Sequence, residues 1–162
     1  MTTLVVGLGQ PDRGDDAVGP VVARLVAARA LPGVVVLEHE DPTSLIDSWD
    51  EHDLVVVVDA VCAGAPVGTV HVREAGADAP PLPTASWAAA GHDGTHSFGL
   101  GAVVELARAL QRLPRRLVLV GVEAQQFDHG AALSPAVRSA VTTAADQVAS
   151  AITVHVPERT GP

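Results

Sequence analysis

The sequence predicts an α/β domain built on a mainly parallel sheet. Two observations lead there. Short runs dominated by branched apolar residues recur along the chain: Leu4-Val5-Val6, Val34-Val35-Val36-Leu37, Leu54 to Val58 and Leu117 to Val122. Runs of this kind suit strands covered on both faces, which is how parallel sheets are buried. Between them lie segments whose apolar residues return at helical spacing. Strands alternating with helices imply parallel strands joined by right-handed crossovers.

Taken in order, Leu4 to Val6 runs into Gly7-Leu8-Gly9 and is the first strand. The turn Gln10-Pro11-Asp12-Arg13-Gly14 follows. Val18, Val21, Val22, Leu25 and Val26 mark a helix over 15–29, stopped by Pro32-Gly33. Residues 34–37 form the second strand. Thr43 to Asp50 fits a short helix with Leu45, Ile46 and Trp49 on one side. Leu54 to Val58 is the third strand. Gly68 to Arg73 alternates, with Val70 and Val72 expected inward and His71 and Arg73 outward, the pattern of a half-exposed edge strand. A long loop over 76–95 carries Pro80-Pro81-Leu82-Pro83, and loops of this length tend to be functional. Leu100, Val103, Val104, Ala107 and Leu110 mark a helix ended by Pro114. The strand Leu117 to Val122 comes next, then a last helix with Ser134 as N-cap and Pro135 at its first position. Residues 1–156 are expected to form one domain and 157–162 a frayed tail.

The chain has 162 residues, 48% of them hydrophobic and 18% charged, enough for one sizeable core. Ten basic residues against 19 acidic give a formal net charge of −9, and every basic residue is Arg. Without a basic cluster to neutralise phosphates, nucleic acid is not an expected partner. No apolar run approaches the ~18 residues of a membrane span, so no membrane partner is expected either. Met1-Thr2-Thr3 leads into an apolar strand with no basic segment before it, and Cys62 is the one cysteine. A cytoplasmic location is the expectation. Cys62 itself reads as a small buried hydrophobe, though it stands three residues past Asp59.

In open α/β sheets, sites form beyond the carboxyl ends of the strands. Three polar segments reach that edge: Asp12 to Asp16 after strand one, Asp59 at the end of strand three, and Thr95-His96-Ser97 before the helix near 100. Each has a plain structural reading. Asp15 or Asp16 can cap a helix, Asp59 can accept loop N–H groups, and His96 can simply start a helix. Their convergence on one edge favours a site instead. Two carboxylates and an imidazole can hold a divalent transition metal with coordination positions left open. A nucleotide cofactor is not expected. The dinucleotide pattern that begins at Gly7-Leu8-Gly9 has Asp12 where its third glycine belongs. The phosphate-loop spacing from Gly9 to Gly14 has Asp15-Asp16 in place of Lys-Ser/Thr.

The run Gly7-Leu8-Gly9-Gln10-Pro11-Asp12-Arg13-Gly14-Asp15-Asp16-Ala17-Val18-Gly19 resembles the opening signature of the NiFe-hydrogenase maturation proteases. Val56-Val57-Val58-Asp59-Ala60-Val61 with Gly64 to Thr69, then Thr95 to Leu100, then Val120-Gly121-Val122-Glu123 and Leu133 to Val137, are similar to that family's later blocks, in order. The resemblance implies a three-layer α/β/α sandwich of the phosphorylase/hydrolase-like type. Its five-stranded sheet would be mostly parallel with one antiparallel strand, for which 68–73 is the candidate. It implies an endopeptidase, grouped with aspartic-type peptidases, that removes a C-terminal extension from the hydrogenase large-subunit precursor after nickel insertion. Carried over by motif position, the metal contacts are Asp16, Asp59 and His96, with Asp16 and Asp59 as the catalytic carboxylates. The nickel is expected to arrive with the substrate.

Two departures from the family pattern concern the rim. Gln10 stands where Asn is usual. Glu38-His39-Glu40-Asp41-Pro42 replaces a common Asp-Gly-Gly, so this rim is expected to have a different shape and to read a different large subunit. Gln10, Arg13, His39 and Glu40 are the expected substrate contacts, flanked by the 76–95 loop. No serine lies in a Gly-x-Ser-x-Gly context, so attack by water is the simpler route to hydrolysis. Two other classes share the same residues: a non-enzymatic nickel-binding maturation factor, and a metal-dependent amidohydrolase acting on a small molecule.

Overall fold

The computed structural model describes residues 2–82 and 99–154. Five strands form one sheet: β1 (Thr3–Leu8), β2 (Val34–His39), β3 (Leu54–Val61), β4 (Val70–Glu74) and β5 (Leu117–Glu123). Their order is β2-β1-β3-β5-β4, with every pairing parallel except the antiparallel β4–β5 edge. The alternating segment therefore supplies the antiparallel strand, at the sheet edge where one ladder face is open.

Side-chain alternation along the strands divides the core in two. Val5, Val56, Val58, Val118, Val120 and Val122 pack against α1 (Val18–Ala28) and α4 (Pro135–Val154). Leu4, Val6, Leu8, Val55, Val57, Val61, Leu117 and Leu119 pack on the other face, against α2 (Leu45–Ser48) and α3 (Leu100–Ala109). The result is the three-layer α/β/α sandwich. β1, β3 and β5 are buried along their whole length, which is why their sequences are mainly apolar, with Asp59 and Glu123 as the buried carboxylates.

Four expectations are corrected. The helix near 15–29 begins later, because residues Gly14–Ala17 form a 3₁₀ turn first. That tighter turn redirects the chain before α1 begins at Val18. The third strand runs on to Val61, so Asp59 lies within it instead of after it. On β4, Val72 is 44% exposed, on the open edge strand of the sheet; His71 is instead half-buried and hydrogen-bonded. Cys62 is exposed in the turn after β3, with Sγ 3.8 Å from the Ala124 carbonyl oxygen.

The described part of the long loop also lies elsewhere than expected. β4 runs antiparallel, so residues 75–79 emerge at the amino edge of β5, opposite the edge that carries Asp59. There the Ala75 amide donates to the Leu117 carbonyl and the Ala77 amide to the Pro114 carbonyl, both at 2.9 Å. The Arg108 guanidinium donates to the carbonyls of Ala75, Gly76, Ala77 and Ala79. Residues 75–79 thus pack under the sheet and do not flank the cleft, while Leu82 is buried in the α2/α3 layer with its amide donating to Glu105. Residues 83–95 lie outside the described residues.

Candidate active site

Helix α1 is brought against the carboxyl ends of β1 and β3 by two glycines. A Cβ on Gly19 would overlap the Leu8 carbonyl oxygen and stand 2.7 Å from that of Val58; one on Gly7 would overlap the Gly19 carbonyl oxygen. Only a bare Cα allows this approach, and it carries the 3₁₀ turn over the end of the sheet. Gly9, at φ 140°, sits directly beneath the Asp16 backbone carbonyl.

On that turn Asp15 and Asp16 point to different partners. Asp15 is fully buried. Its Oδ2 accepts from the Gln125 and Gln126 amides, both at 3.0 Å, and from the Ser134 hydroxyl at 2.9 Å; its Oδ1 accepts from the Ser134 amide at 2.7 Å. Burial raises its pKa, but the hydrogen bonds to Gln125, Ser134 and Gln126 together outweigh it and hold the carboxyl below its ordinary value. Neither Asp15 nor Asp16 caps α1: its N-cap is Ala17, with no side-chain cap. Asp15 instead ties the turn to the start of α4.

Asp16 is half-buried and accepts the Gln10 amide at 2.8 Å through Oδ2. Its charge reaches Asp59, which is 8% exposed on the α2/α3 face between Val57 and Val61. Burial first, then the Asp16 carboxylate, push the Asp59 carboxyl well above the usual carboxylate range, against the Ala60 amide that pulls it down. The structure thus brings Asp16 and Asp59 together. His96 lies outside the described residues. Among the described residues no group of three His, Cys, Asp or Glu side chains is placed to hold a metal ion.

The rim residues are placed as follows. Gln10 is half-buried above the Asp16 carboxylate. Arg13 is half-buried and donates from Nε to the Phe127 carbonyl at 3.1 Å, joining the first loop to the β5–α4 connection. His39 ends β2 beside Leu8, with Nε2 2.8 Å from the Ser48 hydroxyl. That hydroxyl donates to the Ser44 carbonyl, so it accepts from His39 and Nε2 carries the proton. Glu40 is exposed at the same edge. Sequence reasoning gave Glu123 no role, although it is 3% exposed and takes four hydrogen bonds. The available signal was the one that singled out Asp59: a carboxylate ending an apolar strand.

Within this three-layer α/β/α sandwich the Asp16 and Asp59 carboxylates influence each other at the carboxyl edge of the sheet. The chain belongs to the HycI hydrogenase maturation protease family, whose model matches residues 21–151. That span takes in Asp59, His96 and Glu123, while Asp16 precedes it. No curated protein matches the chain. Among solved structures, the hydrogenase maturating endopeptidase HybD from Escherichia coli is 21% identical. It has a TM-score of 0.73 and covers 95% of this chain and 93% of its own. An Escherichia coli endopeptidase is 23% identical at TM-score 0.76, covering 99% and 100%. The [NiFe] hydrogenase maturation protease HycI from Thermococcus kodakarensis is 23% identical at 0.69, covering 94% and 92%. These likenesses carry the fold.

Proposed function

We propose that this chain removes the C-terminal extension of a NiFe-hydrogenase large-subunit precursor after nickel insertion, with Asp16, Asp59 and His96 contacting the nickel carried by that substrate. The observation that carries the reading is the Asp16–Asp59 pair. Two carboxylates share one edge, and the more buried of them is pushed up by its burial first and then by the charge of the other. A divalent cation arriving between them would relieve that repulsion and turn it into attraction. The site is therefore suited to a substrate that brings its own metal, and cleavage becomes conditional on nickel loading.

Peptide hydrolysis needs an activated water, a polarised carbonyl and a proton for the leaving amine. Asp16 and Asp59 are the groups in place to accept and return a proton, which makes the reaction aspartic-type in the sense of its catalytic groups. Gln10, Arg13, His39 and Glu40 line the entrance and select the precursor, in the cytoplasm where the large subunit is assembled. Incubating the protein with nickel-loaded and nickel-free precursor tests the reading. Only the loaded precursor should shorten at its C-terminus. A loaded precursor of unchanged length would defeat it.

A further inference from the structure

One buried carboxylate holds two segments at the edge of the sheet beside Asp59. Oε1 of Glu123 accepts three successive amides, from Ala63 and Gly64 at 2.8 Å and Ala65 at 3.2 Å. Oε2 meets Nε2 of His71 at 3.1 Å. An ionised carboxylate offers only acceptors, so Nε2 carries the proton. The backbone of Glu123 completes the clasp: its amide donates to the Thr69 carbonyl at 2.9 Å and its carbonyl accepts the Gly68 amide at 2.8 Å. The whole β3–β4 connection is thus fixed to one residue.

Strand pairing locates this clasp relative to the site. Asp59 and His71 both pair with Gly121, from opposite sides. Directly opposed residues project to one sheet face, and Glu123, two residues after Gly121, shares it. Asp59, Gly121 and His71 therefore form one row, with the outer two about 10 Å apart, two strand spacings. Gly121 between them is buried and carries no side chain. The turn held by Glu123 begins at Cys62, three residues after Asp59, and residues 62–64 are exposed.

We infer that Glu123 is a positioning residue of the active site: it sets the Cys62–Ala65 turn bordering Asp59 and the His71 imidazole across Gly121. A substrate segment approaching Asp59 then meets a preset turn, and its scissile bond is held in register with Asp59. Preset geometry of this kind matters to rate because a misplacement of ~1 Å can cost about 10²-fold. A turn exposed to water could be satisfied by solvent; this one is bound to a buried charge.

The inference rests on the endopeptidase reading, and two measurements keep the two separable. Amide hydrogen exchange at residues 63–65 and cleavage of nickel-loaded precursor are recorded for the wild type, Glu123→Gln and Gly64→Ala. Glu123→Gln puts an NH₂ group where one oxygen accepted. Gly64 has φ 86° with open space around it, so Gly64→Ala strains the turn from the solvent side and leaves the carboxylate intact. Both variants should speed exchange at 63–65 and lower kcat roughly tenfold or more, with KM within about threefold. Unchanged exchange in Glu123→Gln overturns the inference whatever the activity. Faster exchange with kcat within about twofold of wild type makes the clasp a structural staple only, and also overturns it. If Glu123→Gln does not fold, Gly64→Ala alone decides by the same two readings. Failure of the wild type to cleave any loaded precursor defeats the endopeptidase reading, and the catalytic part of this inference with it.

Discussion

Asp15 and Asp16 are adjacent on one 3₁₀ turn yet serve different parts of the molecule. Asp15 gives its carboxylate to the Gln125, Gln126 and Ser134 donors and disappears into the protein. Asp16 accepts the Gln10 amide and raises the pKa of Asp59. A tight turn makes this possible, because consecutive side chains on it diverge. One anchors the turn, and the anchoring lets the other be held beside a like charge.

Asp15→Asn should therefore behave as a stability variant. Both carboxylate oxygens accept, so the amide NH₂ must oppose an N–H or O–H donor wherever it is placed. The cost should be about 3 kcal/mol or more. Because the folded Asp15 carboxyl is held low, its contribution is fully present above the unfolded pKa and lost as pH falls through the folded one. The gap in stability between wild type and variant should stay constant from pH 8 to about pH 5 and close in acid. Denaturant melts across that range measure it, and a variant as stable as wild type at neutral pH would remove Asp15 from the anchor role.

Gly19→Ala tests the contact that brings α1 over the sheet. Its Cβ would collide with backbone at both β1 and β3, where no side chain can move aside. Overpacking of this kind costs about 1–3 kcal/mol. Since the 3₁₀ turn rides on α1, cleavage should fall further than the loss of folded protein explains. A melting temperature and a rate on the same sample separate the two effects. Activity that tracks the folded fraction would mean that α1 does not set the position of Asp16.

Much of the fold was legible because its signals are local. Leu54 to Val58 and Leu117 to Val122 announce buried strands by composition alone, and the alternation at 68–73 marks the odd strand. The meeting of Asp16 and Asp59 was legible from their places at the carboxyl ends of the first and third strands, and again from the motif order. What stayed hidden depends on tertiary partners. Nothing near Asp15 in sequence shows that its four donors come from residues 125, 126 and 134. The burial of Glu123 depends on a turn 58 to 60 residues earlier in the chain. Nor does the alternation of β4 reveal that Val72 is exposed on the open edge strand.

The rim at the end of β2 should govern substrate choice with little effect on the fold. Glu38 pairs with Arg24 at 2.7 Å, but both are well exposed, so losing the pair should cost little stability. His39 is tethered to Ser48, while Asp41 accepts the Thr43 amide and caps the following turn. Replacing Glu38-His39-Glu40 by Asp-Gly-Gly and keeping Asp41 should leave the melting temperature within a few degrees. The preferred precursor should change. Competition between two loaded precursors in one tube reads this directly, and an unaltered preference would make the rim a mere connection.

Asp59→Asn separates function from stability most sharply. The folded Asp59 carboxyl keeps its proton to higher pH than the unfolded one, because burial and the Asp16 charge disfavour ionisation. As pH rises past about 4, the unfolded chain ionises first and the folded state loses ground until its own carboxyl titrates. Asn never ionises and can still accept the Ala60 amide, so the variant escapes this penalty. It should match wild type below pH 4 and be as stable or up to about 2 kcal/mol more stable at neutral pH. Cleavage of nickel-loaded precursor should nonetheless fall by about 10²–10³, the usual cost of removing one preorganised charged group. Stability and rate therefore move in opposite directions, which a structural carboxylate cannot produce. If Asp59 only anchored backbone, Asn would cost about 1–3 kcal/mol and activity would follow the folded fraction. Normal cleavage by a folded Asp59→Asn protein would end its assignment as a nickel contact.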